Sequence, residues 1–123
     1  IEGSSVDPRV VDQVKSLVKP EEKVLVMLDS CHTKAHVRAE LHAYAPLVSV
    51  GSYIVAADGI MEEVVGAPRT HPDWMWNNPK QAAIEFVRQN PDFIVEEPSF
   101  PFNEGSVNRR VTYWPGGFIK RIA

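Results

Sequence analysis

The sequence predicts an α/β fold whose sheet is mostly parallel and ends in an antiparallel hairpin. Two apolar runs, residues 24–28 and 53–57, are each followed by an aspartate, Asp29 and Asp58. The stretch between the runs has helical periodicity, and a strand–helix–strand unit places its two strands parallel. A length of 123 residues is that of one domain. We therefore interpret the chain as a single α/β domain, lopsided like the second half of a doubly wound sheet.

Three helices are predicted from their capping residues. Asp7-Pro8 and Asn78-Pro79 each place an N-cap side chain before a proline at the first helical position. Thr33 is the expected N-cap of the helix between the two strands. The side chains expected to face the core recur at helical spacing: Val10, Val11, Val14, Leu17 and Val18; Val37, Leu41 and Tyr44; Ala82, Ala83, Phe86 and Val87.

The rest of the chain divides into a long loop and further strands. Residues 59–78 carry glycines, prolines, two tryptophans and paired asparagines without periodicity, which is typical of a functional lid. Residues 93–95 are predicted to form the third strand. Residues 111–114 and 118–122 flank Pro115-Gly116-Gly117, a turn sequence that predicts a hairpin.

Composition excludes several classes of function. The net charge is −3 and the pI is near 5.8, and the 13 basic residues are scattered among 16 acids. A nucleic-acid-binding surface needs a basic patch, so we expect no nucleic-acid partner. No apolar run approaches the roughly 18 residues of a membrane span, so we expect no membrane partner. The single cysteine, Cys31, excludes an internal disulfide, and we expect a cytoplasmic protein.

The two aspartates are the candidate functional residues. Ligands of open parallel sheets collect outside the carboxyl ends of the strands, where Asp29 and Asp58 would converge. Two converging carboxylates repel each other unless a cation lies between them or they share a proton. The alternative interpretation is that each acid only caps a helix or lies in a solvated loop.

The motifs resemble those of a known family. The segment from Leu28 to Leu41, which contains Asp29-Ser-Cys-His32-Thr, and the segment from Tyr44 to Asp58 are similar to the cephalosporin hydroxylase / rhamnosyl O-methyltransferase family. Asn90-Pro-Asp-Phe93 and Pro115-Gly-Gly-Phe-Ile-Lys-Arg121 resemble its C-terminal segments. The resemblance covers nearly the whole chain. More distantly, the chain is similar to the catechol-type, metal-dependent O-methyltransferases.

This resemblance implies a class I S-adenosylmethionine (SAM) methyltransferase fold, a Rossmann-like sheet of which this chain would be the C-terminal half. Gly3, Ser4 and Ser5 would lie in the turn after the family's third strand, beside the adenine of the cofactor, and Asp29 and Ser30 would complete the cofactor-binding residues. The family's glycine-rich first turn and its ribose-binding acid would lie upstream, because no such turn occurs in residues 1–123.

The resemblance also implies a divalent metal, with magnesium as the first choice. Asp29 and Asp58 would be the ligands, and His32 would be the general base or a third ligand. The alternative for His32 is a loop histidine bonded to a backbone carbonyl. Two departures from the family pattern bear on the metal, because Ala57 and Gly59 stand where relatives carry a further ligand.

Several other side chains are expected to be structural. Cys31 is interpreted as a small buried side chain. His36 and His42 are expected on the exposed side of the second helix. Trp74 and Trp76 would either close over an acceptor or pack the loop down. Three charged pairs are expected to be solvated: Glu62-Glu63, Glu96-Glu97 and Arg109-Arg110.

The leading functional hypothesis is therefore a SAM-dependent, divalent-metal-dependent O-methyltransferase. Its acceptor would be a small hydroxylated molecule such as a sugar, a polyketide or an antibiotic precursor. Two alternatives remain, a cephalosporin-hydroxylase-type enzyme and a catalytically empty assembly module. We also expect a homo-oligomer, because the strand that ends at Asp29 would have an unpaired apolar edge.

Overall fold

The computed structural model describes residues 1–98 and 111–123. Its helices are α1 (Pro8–Leu17), α2 (Lys34–Tyr44) and α3 (Pro79–Gln89), and its strands are β1 (Val26–Leu28), β2 (Tyr53–Ala56), β3 (Phe93–Val95) and β4 (Phe118–Arg121). Three short 3₁₀ helices cover Ala45–Leu47, Gly59–Val64 and Pro72–Met75.

The three predicted helix starts are confirmed. The Asp7 carboxylate accepts a hydrogen bond from the backbone N–H of Arg9 at 2.8 Å and caps α1. Thr33 caps α2, and Asn78 caps α3 by accepting from the backbone N–H of Gln81 at 2.9 Å. Each cap satisfies an N–H that has no partner within its own helix.

The four strands form one mixed sheet in the order β1-β2-β4-β3. β1 and β2 are parallel, with Val26 beside Ile54 and Leu28 beside Ala56. β4 is inserted between β2 and β3 and runs antiparallel to both. The prediction of an α/β fold with a parallel strand pair is therefore confirmed.

The predicted hairpin is wrong. Residues 111–114 form no strand, and β4 pairs with β2 and β3 instead. The carbonyl of Tyr113 accepts from the N–H of Ile60 at 3.1 Å, so this segment attaches to the loop after β2. The carbonyl of Gly117 accepts from the N–H of Ala56 at 2.8 Å, which starts the β2–β4 ladder. A turn sequence does not reveal such long-range partners.

The core lies between the sheet and α2 and α3, with Val11 contributed by α1. Most of the predicted core residues of α2 and α3 are buried, among them Leu41 and Phe86, which packs edge-on against Phe93 at 5.2 Å between ring centroids. The strand residues in this core are Leu28, Ile54, Ala56, Phe93 and Ile119. Among the described residues, no helix combines the length and the apolar character that a bilayer span needs.

The other face of the sheet carries an apolar hollow of about 280 Å³. Its lining comes from Leu25, Met27, Tyr53, Val55, Pro98, Trp114 and Phe118. None of these residues belongs to a described helix. A parallel strand pair normally has both faces covered, and within the described residues no helix lines this hollow, although Val55 in it is only 4% exposed.

Candidate metal and cofactor site

Asp29, His32 and Asp58 come together at the carboxyl ends of β1 and β2. Nε2 of His32 lies 3.2 Å from Oδ1 of Asp29 and 3.4 Å from Oδ2 of Asp58. One ligand atom from each residue lies within 4.8 Å of the others. His32 and Asp58 are half-buried, and Asp29 is exposed. The predicted convergence of the two carboxylates is confirmed, and within residues 1–98 and 111–123 the His32 ring is hydrogen-bonded to Asp29 and lies at ion-pair distance from Asp58.

The backbone places Asp58 by an unusual conformation. The β1–β2 ladder extends one step beyond the strands, because the N–H of Ala57 donates to the carbonyl of Leu28 at 3.0 Å. The next residue, Asp58, has φ 56° and ψ 29°, in the left-handed region that non-glycine residues rarely adopt. This conformation directs its carboxylate toward Asp29 and His32, and strain of this kind is concentrated at functional sites.

Beside this cluster opens a cleft of about 600 Å³. Its wall includes His32, Asp58 and Trp74, together with residues of the loop that was predicted to be irregular. Two of the 3₁₀ helices lie within that loop. Trp76 does not line the cleft and is 61% exposed. The two tryptophans therefore differ, since Trp74 lines the cleft and Trp76 does not.

A hydrogen-bonded network supports the cleft wall. Glu62 accepts hydrogen bonds from Lys80, from Gln81 at 2.9 Å and from Asn78 at 3.5 Å. Burial raises the pKa of the Glu62 carboxyl, but the hydrogen bonds from Lys80, Gln81 and Asn78, together with the positive charge of Lys80, outweigh burial and leave the pKa below its usual value. The expectation that Glu62 is solvated is wrong, and Arg109-Arg110 lies outside the described residues.

A second groove, of about 560 Å³, runs along the outer edge of β1. Three of the predicted cofactor-binding residues line it: Ser5, Asp29 and Ser30. Gly3 and Ser4 do not line it. Gly3 packs so closely that a Cβ there would lie 2.7 Å from Cγ2 of Val10.

Glu40 is the functional candidate that sequence reasoning missed. It is 2% exposed, and its Oε1 accepts from Ser5 Oγ at 2.5 Å and from Ser30 Oγ at 2.7 Å. Its Oε2 is buried without a hydrogen-bond partner among the described residues. A signal was present, because Glu40 completes the helical stripe with Val37, Leu41 and Tyr44.

Two further expectations are corrected here. His36 is half-buried, with Nε2 3.1 Å from Ser5 Oγ and 3.5 Å from Glu40 Oε1, whereas His42 is exposed as expected. Cys31 is exposed because it lies in the loop before α2. A hydrogen bond from the backbone of Thr33 lowers the pKa of the Cys31 thiol.

The chain departs from the family pattern at positions 57 and 59, and both positions are closely packed. A Cβ at Gly59 would lie 2.6 Å from the carbonyl oxygen of Pro115 and 3.2 Å from Cβ of Lys80. Ala57 is 1% exposed. A side chain at position 59 would therefore require the backbone at Pro115 to shift, and a longer side chain at position 57 would start from a buried position.

The fold is that of an α/β protein with a cleft at the carboxyl ends of its parallel strands, which is where the ligands of such sheets collect. The chain belongs to the Rhamnosyl O-methyltransferase/CmcI family, whose model matches residues 1–122. The resemblance seen in the sequence is thereby confirmed at the level of the family.

Curated relatives support this assignment. The rhamnosyl O-methyltransferases of Mycobacterium tuberculosis and Mycobacterium bovis are each 39% identical to this chain over 59 residues. These residues are 47% of this chain and 24% of each relative, so the match spans about a quarter of the relatives' length. No solved structure matches the chain.

Proposed function

We propose that this chain supplies the metal and acceptor half of a SAM-dependent, divalent-metal-dependent O-methyltransferase with a Rossmann-like sheet. The acceptor would be a small hydroxylated molecule such as a sugar, a polyketide or an antibiotic precursor. The observation that carries the proposal is the Asp29–His32–Asp58 cluster at the mouth of a cleft of about 600 Å³. Membership of a family of O-methyltransferases supports the reaction class.

The cluster suits a hard divalent cation. Two carboxylate oxygens are ligands that magnesium accepts, whereas an imidazole nitrogen is a ligand more typical of zinc or iron. Adjacent ligand atoms of an octahedral magnesium lie about 3 Å apart, given bonds of about 2.1 Å. The distances of 3.2 and 3.4 Å from His32 to the two carboxylates are close to that spacing. Three protein ligands leave room for water and for an acceptor hydroxyl.

The groove beside Ser5 and Ser30 suits the amino-acid end of SAM better than the adenine, which the family resemblance would place beside residues 3–5. Both hydroxyls donate to Oε1 of Glu40, so their lone pairs can accept hydrogen bonds from a ligand. Oε2 of Glu40 is a buried acceptor without a donor among the described residues. A buried carboxylate requires a paired charge or strong donors, and the α-ammonium group of SAM would provide both.

The roles of the chain's own residues follow from this geometry. Nε2 of His32 faces the carboxylates of Asp29 and Asp58 and donates to that of Asp29, so His32 would take the proton of the acceptor hydroxyl at Nδ1, and the two carboxylates would stabilise the resulting imidazolium. Trp74 would hold the acceptor against the cleft wall. When bound, a divalent cation would lower the pKa of a coordinated hydroxyl and fix its position. If Nε2 is a third ligand instead, the proton would pass to water.

Calorimetric titration of magnesium and then SAM tests the proposal. The titration is made into this chain and into a version extended upstream. We expect Asp29→Ala and Asp58→Ala each to abolish magnesium binding, because each removes a charged ligand. The matched control is Asp12→Ala, which removes an acid that is 78% exposed on α1.

Transfer of a labelled methyl group from SAM to hydroxylated acceptors then tests the reaction. If the extended protein binds neither magnesium nor SAM, the O-methyltransferase proposal is wrong and the assembly-module hypothesis replaces it. His32→Gln separates the two roles of the histidine. Loss of turnover with magnesium affinity retained indicates a base, and loss of both indicates a ligand.

A further inference from the structure

Lys80 lies in the first turn of α3, where its charge opposes the dipole of the helix. Asn78 caps α3, and Pro79 is its first residue. The N-terminal end of a helix carries a partial positive charge, so a lysine there is unfavourable for the helix itself. The first turn contains no acid that would compensate. The Lys80 side chain is only 24% exposed, because it is in contact with segments outside α3.

The aliphatic stem of Lys80 lies between two glycines from different parts of the chain. A Cβ built on Gly59 would lie 3.2 Å from Cβ of Lys80, and a Cβ built on Gly116 would lie 3.2 Å from its Cγ. The absence of a side chain at both positions leaves room for the stem. Gly59 directly follows Asp58, and Gly116 belongs to the turn before β4. The stem therefore touches both of the segments that meet beside Asp58.

The ammonium group of Lys80 binds the segment after Asp58 a second time. Its Nζ donates to Oε1 of Glu62 and lies 3.9 Å from Oε1 of Glu63. Both glutamates belong to the 3₁₀ helix that begins directly after Asp58. The stem of one lysine thus contacts the start of this helix, and its charge holds the middle.

Asp58 needs such support because its own conformation is unfavourable. Its φ is 56°, and a left-handed conformation of a residue with a Cβ persists only where the surrounding structure imposes it. The Asp58 side chain makes no capping bond to the 3₁₀ helix. The N–H of Ile60 donates to the carbonyl of Tyr113 at 3.1 Å, which ties the helix to the segment before β4. This bond and the contacts of Lys80 are what hold the chain just beyond Asp58.

We propose that Lys80 is a positioning residue, which holds the backbone after β2 so that the carboxylate of Asp58 stays in place at the candidate metal site. The stem contributes packing between two backbone segments, and the ammonium group contributes the bond to Glu62. The inference rests on the proposed function in one respect, because the effect on magnesium affinity requires that Asp58 is a ligand. The placement of the backbone can be measured without a metal.

Amide hydrogen exchange of the chain extended upstream tests the placement of the backbone. We expect Lys80→Met to speed exchange at Ile60 by at least about tenfold, because the 3₁₀ helix loses a charged donor and opens locally. Lys80→Ala should have a larger effect, since it also removes the stem. The matched control is Lys34→Met, at a lysine that is 26% exposed and binds Glu85 of α3. Lys34→Met should leave exchange at Ile60 unchanged.

Calorimetric titration of magnesium into the same variants tests whether the effect reaches Asp58. We expect the dissociation constant to rise by about tenfold in Lys80→Met, although this change removes no metal ligand. Lys34→Met should leave the dissociation constant unchanged. Both variants lose an ion pair with a glutamate at similar exposure, so a merely structural role of Lys80 predicts the same result for both. Far-UV circular dichroism checks that each variant is folded.

The two measurements separate the role of Lys80 from the proposed function. Unchanged exchange at Ile60 in both Lys80 variants would overturn the inference, and so would an equal increase in Lys34→Met. An unchanged magnesium affinity in Lys80→Met would also overturn it, provided that the unsubstituted protein binds magnesium. If the unsubstituted protein binds none, the proposed function fails, and the exchange data alone decide whether Lys80 positions the backbone.

Discussion

Ser30 donates its hydroxyl hydrogen to the buried carboxylate of Glu40 at 2.7 Å. The bond joins the loop that follows β1 to the middle of α2. Ser5 donates to the same oxygen from the segment before α1. One buried carboxylate therefore holds two separate segments of the chain at the carboxyl end of the sheet.

We expect Glu40→Gln to increase the free energy of unfolding by about 1 kcal/mol, because it removes a buried charge and keeps Oε1 as an acceptor. Glu40→Ala should lower the free energy of unfolding by about 2 kcal/mol, because both hydroxyls lose their acceptor. Urea denaturation measures both changes. In a version that binds SAM, Glu40→Gln should weaken SAM binding despite its gain in stability. If Glu40→Gln lowered both the free energy of unfolding and the affinity for SAM, the binding role of Glu40 would be contradicted.

We expect Gly117→Ala to destabilise the fold by about 3 kcal/mol, at the upper end of the usual cost of overpacking. A Cβ on Gly117 would lie 2.2 Å from the carbonyl oxygen of Ala56, in the β2–β4 ladder two residues before Asp58. The control is Gly51→Ala, where φ is 80° and no atom lies within 4 Å of the added Cβ. That change should cost only about 1 kcal/mol. If urea denaturation gave equal decreases in the free energy of unfolding for Gly117→Ala and Gly51→Ala, the argument from the close contact at Gly117 would be contradicted.

The pH dependence of stability should report the contact between Glu96 and Lys120. Hydrogen bonds from Lys120 and Tyr53 lower the pKa of Glu96 below its usual 4.5, and the hydrogen bond to Glu96 raises the pKa of Lys120 above its usual 10.5. The carboxylate therefore stabilises the fold above pH 4.5, and this contribution is lost as the pH falls through the lowered pKa. The contribution of Lys120 is complete below pH 10.5 and is lost as the pH rises through its raised pKa.

Denaturation midpoints measured between acidic and neutral pH test this prediction. Glu96→Gln should remove part of the loss of stability at acidic pH, and Glu63→Gln, at a more exposed carboxylate, should not. Identical acid profiles in the two variants would show that the Glu96 contact does not contribute.

Asn78 couples the start of α3 to the cleft. We expect Asn78→Ala to lower the free energy of unfolding by about 2 kcal/mol. Its Oδ1 caps α3, and its Nδ2 donates to the carbonyl of Trp74 at 2.8 Å. Asn78→Asp keeps the capping oxygen, but it removes the donor and places a second carboxylate beside Glu62. Asn78→Asp should therefore lower the free energy of unfolding as much as Asn78→Ala does, as measured by thermal or urea denaturation. Full stability of Asn78→Asp would show that the cap alone matters.

Local signals in the sequence predicted the elements that depend on neighbouring residues. The caps at Asp7, Thr33 and Asn78 are all formed, because each bond joins residues at most three positions apart. The approach of Asp29 and Asp58 was predicted from topology, since neighbouring parallel strands end at the same edge of a sheet.

The errors involve partners that are distant in the sequence. The sequence around Pro115-Gly116-Gly117 has the pattern of a hairpin, but β2 and β3 outcompete residues 111–114 as partners of β4. Glu40 was missed because a charged residue in a helix is usually solvated, and its partners lie 10 and 35 positions away. Such contacts depend on the assembled fold.

The insertion of β4 between β2 and β3 has a consequence for the timing of folding. A ribosome makes β1, β2 and β3 before the strand that joins β2 to β3. The carbonyls of Tyr113 and Gly117, which accept from the N–H groups of Ile60 and Ala56 on either side of Asp58, likewise become available only after β3. During synthesis, Asp29 and His32 can therefore form their local contact early, whereas the anchoring of Asp58 must wait until the last described segment of the chain has emerged.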